Sequence, residues 1–184
     1  DGTHVHGESN IAVAGGSVAE VHIEPADSQV NPEAIDAINQ ADLILVGPGS
    51  LYTSIMPNLL VPGITEALKA SSAQTMYVCN VATEDGETGG FTMTDHVRAL
   101  QRHTFPTIAD WVIANGNLAE PGAQFNSQAV PPSEEDLPDV RVVTADLIDP
   151  GHPLRHDAER LARVVIDVYH GRQPITSESP AATG

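Results

Sequence analysis

Short apolar runs alternate along this chain with longer stretches in which apolar residues recur at helical spacing. The apolar runs predict buried strands at residues 43–46, 75–79, 110–114 and 140–145. The longer stretches predict helices after Asn31, after Gly63, over Met93–His103 and over residues 156–170. Because parallel strands need crossovers, and these are right-handed, the alternation predicts an α/β fold with a mostly parallel sheet.

Local signals define the ends of several of these elements. Residues 11–14 and 18–23 are β-type runs on either side of two glycines, which predicts a small β-hairpin near the start. Asn31 before Pro32 is a helix-start signal, and Thr92 followed by Asp95 predicts a reciprocal capping box.

Two segments fall outside the alternation. The segment 119–139 is rich in proline and contains the acidic run 134–136, and it is too long for an ordinary connection. We interpret it as a flexible acidic insertion, with a lid as the alternative. Residues 173–184 predict a disordered tail, which leaves residues 1–172 as a single domain.

The charge balance narrows the range of partners. The chain has 184 residues and a formal net charge of −17, so it repels nucleic-acid backbones and anionic membrane surfaces. Cys79 is the only cysteine and no signal-peptide pattern opens the chain, which together indicate a reducing, cytoplasmic location. The first residue is Asp1 rather than Met, so we expect that an N-terminal part is missing.

The loop after the first predicted strand carries the clearest chemical signal. Ligands of open parallel sheets bind outside the carboxyl ends of the strands. Gly47 and Gly49 allow close backbone approach, while Ser50, Thr53 and Ser54 offer hydroxyl groups at the start of a helix. This combination predicts an anion site, although no Lys follows as in a Walker A loop. A tight turn with an ordinary cap is the alternative, and polar loops after the other three strands favour a site.

Other candidate residues each have a structural alternative. Arg155, in the loop after the fourth strand, suits a phosphate or carboxylate, or else forms a surface ion pair. Tyr52 either stacks on a base or covers the core. His4, His6 and Glu8 alternate along the chain, but their spacing is not diagnostic of a metal site. We therefore assign no metal ligand and no catalytic residue.

Four stretches of the chain carry a family resemblance. They are GPGSLYTSIMPNLLVPGI at 47–64, DGTHVHGES at 1–9, YVCNVATEDGETGGFTMTDHV at 77–97 and PLRHDAERLA at 153–162. Together they closely resemble the CofD-like superfamily, and within it the YvcK-type gluconeogenesis factors. The resemblance implies a Rossmann-like three-layer fold. It also implies that the family's glycine-rich phosphate loop lies in the missing N-terminal part.

The resemblance implies a binding function without turnover. YvcK-type proteins bind a UDP-sugar, with UDP-N-acetylglucosamine as the expected ligand, and act on envelope precursor supply and cell shape during gluconeogenic growth. Arg155 matches an arginine important for that binding. Ala158 stands where some members have a phosphorylatable threonine, so this regulation is not expected here.

Two alternatives to this reading stay open. The first is a CofD-like 2-phospho-L-lactate transferase that uses a nucleotide-linked donor and a divalent metal. The second is an inert structural domain whose glycines serve turns only.

These considerations define one set of predicted ligand contacts. The set comprises Gly47, Gly49, Ser50, Tyr52, Thr53, Ser54, Asn58, Asn80, Thr83, Thr88, Asn115 and Arg155. Mg²⁺, bound together with a nucleotide, is the one cofactor that we consider. Glu84, Asp85 and Glu87 are expected close to the diphosphate, and their negative charges would repel it without such a cation. A nucleotide sugar or other phosphorylated small molecule is the expected partner. A regulated biosynthetic enzyme and a second copy of the chain are the protein partners compatible with this role.

Overall fold

A computed structural model describes residues 2–133 and 137–172. The acidic run 134–136 and the predicted tail 173–184 lie outside the described residues. The helices are α1 (Glu8–Ala14), α2 (Pro32–Gln40), α3 (Met56–Leu59), α4 (Ile64–Ala70), α5 (Met93–His103) and α6 (Ala158–Tyr169), with a π-helical turn at Leu51–Ile55. The strands are β1 (Leu43–Val46), β2 (Gln74–Val78), β3 (Trp111–Asn115), β4 (Arg141–Ala145), β5 (Ile148–Asp149) and β6 (His152–His156).

Strands β1 to β4 form a parallel sheet in the order of the sequence. Leu43 pairs with Gln74 across β1 and β2, and β3 joins β2 and β4 with the same direction. Strands β5 and β6 form a separate two-stranded antiparallel sheet. The architecture confirms the predicted Rossmann-like α/β class with a small hairpin.

Helices pack on both faces of the sheet. On one face, Tyr77 and Val112 join a buried cluster with residues of α3, α4 and α5. On the other face, Met76 and Ile113 pack against Val164, Val165 and Val168 of α6. Adjacent residues of β2 therefore point into opposite layers, as the two-residue repeat of a strand requires.

The predicted position of the hairpin is wrong. Residues 8–14 form helix α1, flanked by Gly7 and Gly15 at positive φ, and no described strand covers residues 18–23. A short apolar run does not distinguish helix from strand, and the two alanines of this one favour a helix. The antiparallel hairpin instead joins β5 to β6, where Asp149 Oδ1 accepts a hydrogen bond from Gly151 N at 2.7 Å.

The start of the last helix also differs from prediction. Asp157 caps α6 by accepting from the main-chain N–H groups of Glu159 and Arg160, so the helix begins at Ala158 rather than at His156. Arg155 consequently lies on strand β6 and not in a loop. The capping predictions at Asn31 and at Thr92 with Asp95 are confirmed.

Part of the predicted insertion is bonded to the loop that follows β2. Thr83 N donates to Gln128 O at 2.8 Å, and Val130 N donates to Val81 O at 3.1 Å. Val130 is buried, and Met93 N at the start of α5 donates to Pro131 O. Residues 128–131 therefore form a tether that brings the neighbouring Ser127 to the carboxyl ends of the strands.

No helix in the described ranges has both the length and the apolar character needed to cross a membrane.

Candidate functional site

A cavity of about 380 Å³ opens at the carboxyl ends of β1 and β2, beside β6. Its lining residues are Pro48, Gly49, Asn80, Val81, Ala82, Thr83, Glu84, Ser127, Leu154, Arg155 and His156. Of the predicted contacts, the cavity unites Gly49, Asn80, Thr83 and Arg155, which come from three different loops or strands. The exits of β1 and β2 therefore meet at this cavity beside β6, whereas the predicted contribution of the loop after β3 is absent from its described lining.

Among the described lining residues of this cavity, Arg155 is the only lysine or arginine. Its side chain is exposed, and it makes no salt bridge with a described residue. Arg160, Arg163 and Arg172, by contrast, pair with Asp146, Glu159 and Asp167. The guanidinium of Arg155 is thus available to an anion.

Glu84 holds two of the residues that we predicted to contact a ligand. Its Oε1 accepts hydrogen bonds from Ser50 Oγ at 3.1 Å and from Asn80 Nδ2 at 3.2 Å. Its Oε2 is buried and has no hydrogen-bond partner among the described residues. Burial raises the pKa of the Glu84 carboxyl, the hydrogen bond from Ser50 opposes that rise, and the nearby charge of Glu87 adds to it.

Glu87 occupies the helix start that the sequence analysis assigned to a ligand anion. Its Oε1 accepts from Thr53 Oγ1 at 2.8 Å, and its Oε2 accepts from Tyr52 N at 3.3 Å. Glu87 is only 6% exposed. Two of the donors that were predicted to bind a phosphate, Tyr52 N and Thr53 Oγ1, are therefore bonded to the chain's own carboxylate in this structure.

Gly47 serves the turn rather than the cavity. Its φ is 90°, and a Cβ at this position would lie 3.0 Å from Val78 O and 3.2 Å from Ile55 Cδ1. The alternative of a tight turn therefore describes Gly47, whereas Gly49 lines the cavity.

Ser54 and Asn58 belong to a second cavity. This cavity has a volume of about 400 Å³, lies between β1 and the helices α2 to α4, and is lined mainly by aliphatic side chains. Asn58 Nδ2 donates to Ser54 O at 2.7 Å, a bond within one helical segment. Gly47 and Pro48 also border this cavity, and Pro48 lines the polar cavity as well.

Three predicted contacts have structural roles and lie outside the lining of the polar cavity. Tyr52 is fully buried with its ring edge-on to Phe91 and His103, so of its two alternatives it covers the core. Thr88 Oγ1 accepts from Glu84 N at 2.9 Å and shapes the loop. Asn115 is buried, and its Oδ1 accepts from Leu147 N at 3.1 Å, which joins the end of β3 to the β4–β5 turn.

Besides Glu84, two polar residues that line the cavity were not among the predicted contacts. His156 Nε2 lies 3.2 Å from Cys79 O, and burial lowers the pKa of its imidazole while the hydrogen bond with that carbonyl opposes the shift. Ser127 comes from the segment that we interpreted as an insertion. Adjacency to Arg155 was a signal for His156, but no sequence pattern pointed to Ser127.

Among the described residues, no three or more His, Cys, Asp or Glu side chains are grouped so as to hold a metal ion. At the start of the chain, His6 and Glu24 lie 3.7 Å apart and are both highly exposed.

Comparison with known proteins defines the class of this chain. The family model for 2-phospho-L-lactate transferase CofD matches residues 1–168. The chain therefore belongs to the CofD family.

Relatives within this family are named gluconeogenesis factors, which confirms the resemblance found from the sequence. The gluconeogenesis factor of Halalkalibacterium halodurans is 38% identical over 97% of this chain and 57% of its own length. That of Bacillus subtilis is 36% identical over 91% of this chain and 56% of its own length. The chain thus spans about half the length of these curated relatives.

A solved structure supports the same assignment. The crystal structure of a UPF0052 family protein from Bacillus halodurans superposes with a TM-score of 0.85 at 38% sequence identity. The match covers 90% of this chain and 56% of that protein. This similarity confirms the fold.

Proposed function

We propose that this gluconeogenesis-factor-type domain binds a nucleotide sugar, of the UDP-N-acetylglucosamine kind, in the polar cavity. The observation that carries the proposal is the position of Arg155. Its guanidinium lines a cavity at the strand ends and forms no salt bridge with a described residue, in a chain whose net charge is −17. Such a chain otherwise repels anions, so a cation at this place favours an anionic ligand.

The cavity offers different chemistry to the different parts of such a ligand. Arg155 pairs with the diphosphate, and Gly49 lets the main chain approach it closely. Asn80 and Ser127 supply amide and hydroxyl groups for ribose or sugar hydroxyls. The cavity volume of about 380 Å³ lies within the roughly 300–1,000 Å³ usual for small-molecule sites.

Binding then serves regulation rather than turnover in this proposal. The occupied domain controls a biosynthetic enzyme of envelope precursor supply, and through it cell shape, during gluconeogenic growth. The names of the relatives support the metabolic setting. Complementation of a deletion strain on a gluconeogenic carbon source, with wild type and with Arg155→Ala, tests the role in cells.

Titration calorimetry tests the binding itself. We expect Arg155→Ala to weaken the binding of UDP-N-acetylglucosamine by at least tenfold, or about 1.4 kcal/mol. Arg163→Ala is the matched control, because Arg163 is an exposed arginine of α6 whose partner is Glu159. Equal affinities for Arg155→Ala and wild type would contradict the assignment. A thermal-shift panel of nucleotides with no stabilisation by any of them would favour the inert-domain alternative.

Mg²⁺ is the cofactor that we propose to accompany the diphosphate. Magnesium in nucleotide sites is commonly held by one or two carboxylates together with the phosphates. Glu84 is the one carboxylate in the described lining, and its Oε2 has no partner among the described residues, so Mg²⁺ and a ligand hydroxyl would compete for that oxygen. Repeating the titration in EDTA and in excess Mg²⁺ measures its contribution.

The description of the family model supports a second candidate, a phospholactyl transferase. In that case the cavity holds the nucleotide-linked donor. Incubation with such a donor, Mg²⁺ and a deazaflavin acceptor, followed by mass spectrometry, separates the two functions. Formation of the phospholactyl product would establish turnover.

A further inference from the structure

Two carboxylates of the loop after β2 are used in opposite ways. Both oxygens of Glu87 accept hydrogen bonds from the chain itself, one from Tyr52 N and one from Thr53 Oγ1. Glu84 uses only Oε1 in this way, for Ser50 Oγ and Asn80 Nδ2. Glu87 therefore has a complete structural role, whereas Glu84 retains unused acceptor capacity.

The unused oxygen belongs to a residue of the polar cavity. Glu84 lines that cavity, and its Oε2 is buried without a partner among the described residues. A buried acceptor without a donor is unfavourable, so a donor that reaches it is bound favourably. The last torsion of a glutamate side chain is broad and turns both oxygens together, so a small turn can bring Oε2 toward the cavity without breaking the bonds to Oε1.

Charge decides which part of a ligand this oxygen accepts. A diphosphate carries no donor at neutral pH and is repelled by a carboxylate, whereas hydroxyl groups donate to it readily. Arg155 lines the same cavity and attracts the diphosphate. The two side chains thus impose a direction on a nucleotide sugar, with phosphates toward Arg155 and hydroxyls toward Glu84.

We propose that Glu84 is a specificity-determining residue whose Oε2 accepts a hydrogen bond from a ribose or hexose hydroxyl of the ligand. Ser50 and Asn80 orient the carboxylate for this contact. The inference rests on the proposed nucleotide-sugar binding and adds the means by which the cavity distinguishes a sugar-bearing nucleotide from a bare polyphosphate.

Calorimetry with matched variants of the intact protein tests this role. Glu84→Gln keeps an oxygen for Ser50 and Asn80 but replaces the second acceptor with a donor. We expect it to bind UDP-N-acetylglucosamine about tenfold more weakly than wild type, a typical loss for one charge-assisted hydrogen bond. Glu84→Asp keeps the charge but withdraws the oxygen from the cavity, and we expect a loss in the same direction. Glu87→Gln is the control, with affinity within about twofold of wild type and a lowered melting temperature.

Truncated ligands identify the donor and exclude a merely structural effect. If a hexose hydroxyl donates, the effect of Glu84→Gln disappears for UDP. If the ribose donates, the effect persists for UDP and disappears for the 2′,3′-dideoxyribose analogue of the nucleotide sugar. Equal weakening of all three ligands, or tighter binding by Glu84→Gln, would overturn the inference while leaving nucleotide-sugar binding intact. Absence of binding by the wild type would instead remove the proposed function, and this inference with it.

Discussion

Replacing Glu87 with alanine is expected to destabilise the fold, because a buried carboxylate caps the helical segment that follows the first loop. The substitution leaves Tyr52 N and Thr53 Oγ1 without their acceptors, which lie at 3.3 and 2.8 Å in the structure. A hydrogen bond to a charged group contributes roughly 1.5–3 kcal/mol, so two of them give a loss of about 3–6 kcal/mol. For a domain of this size each kcal/mol lowers the melting temperature by roughly 2–4 °C, which predicts a drop of at least about 6 °C.

Urea denaturation followed by far-UV circular dichroism measures this loss directly. Asp85→Ala is the control, because Asp85 is an exposed carboxylate two residues away in the same loop. Glu87→Gln retains one acceptor oxygen, so its loss falls between that of the alanine variant and that of wild type. If Glu87→Ala costs less than about 1 kcal/mol, as a surface carboxylate would, Glu87 is not the cap and the helix start is free to bind a ligand anion.

Three further predictions concern the turn, the tether and the pH dependence of stability. Gly47→Ala places a Cβ 3.0 Å from Val78 O at a φ of 90°. We expect urea denaturation to show a loss of about 1–3 kcal/mol in the free energy of unfolding. An unchanged free energy of unfolding would contradict the close packing at Gly47. Val130→Ala removes a buried side chain from the tether. We expect this variant to have a lower melting temperature and faster proteolysis between residues 119 and 133 than wild type. An unchanged digestion pattern would contradict the anchoring role of Val130. Burial lowers the pKa of His96 below its ordinary 6.5 in the folded protein. As the pH drops, His96 is therefore protonated in the unfolded chain at a higher pH than in the folded one, and the free energy of unfolding falls below about pH 6.5. The free energy of unfolding should differ less between pH 5.5 and pH 7.5 for His96→Phe than for wild type. His156, whose pKa is also lowered by burial, contributes to the difference that remains. An unaltered difference would exclude His96 as a source of the pH dependence.

The parallel sheet was predictable from the sequence because the patterns that indicate its strands and connections lie within short segments of the chain. Each strand is a short apolar run, and each connection either contains a helix of the right length or is long enough to cross over. The capping box of α5 was predictable residue by residue, since Thr92 and Asp95 lie three positions apart and bond each other directly. The same argument failed for α1, because its run is too short for periodicity to distinguish a helix from a strand.

The candidate site was predictable only in part, because its residues meet across long sequence separations. The family motif pointed to Arg155, and the position of the loops at the strand ends pointed to Gly49, Asn80 and Thr83. Ser127 lines the same cavity, yet its segment resembles an insertion until residues 128–131 are seen bonded to the loop after β2.

The amino-acid sequence by itself determined the class of fold, the family and the edge of the sheet where the candidate site lies, because these depend on apolar periodicity and on contiguous motifs. Only the tertiary structure decided which donors of the first loop are already bonded within the chain. Hydroxyl and N–H groups bond the nearest acceptor in space, and Glu84 and Glu87 reach Ser50, Tyr52 and Thr53 from 34 or 35 residues away. Such a choice between an internal carboxylate and an external phosphate is set by distance and burial, which the linear order of residues does not contain.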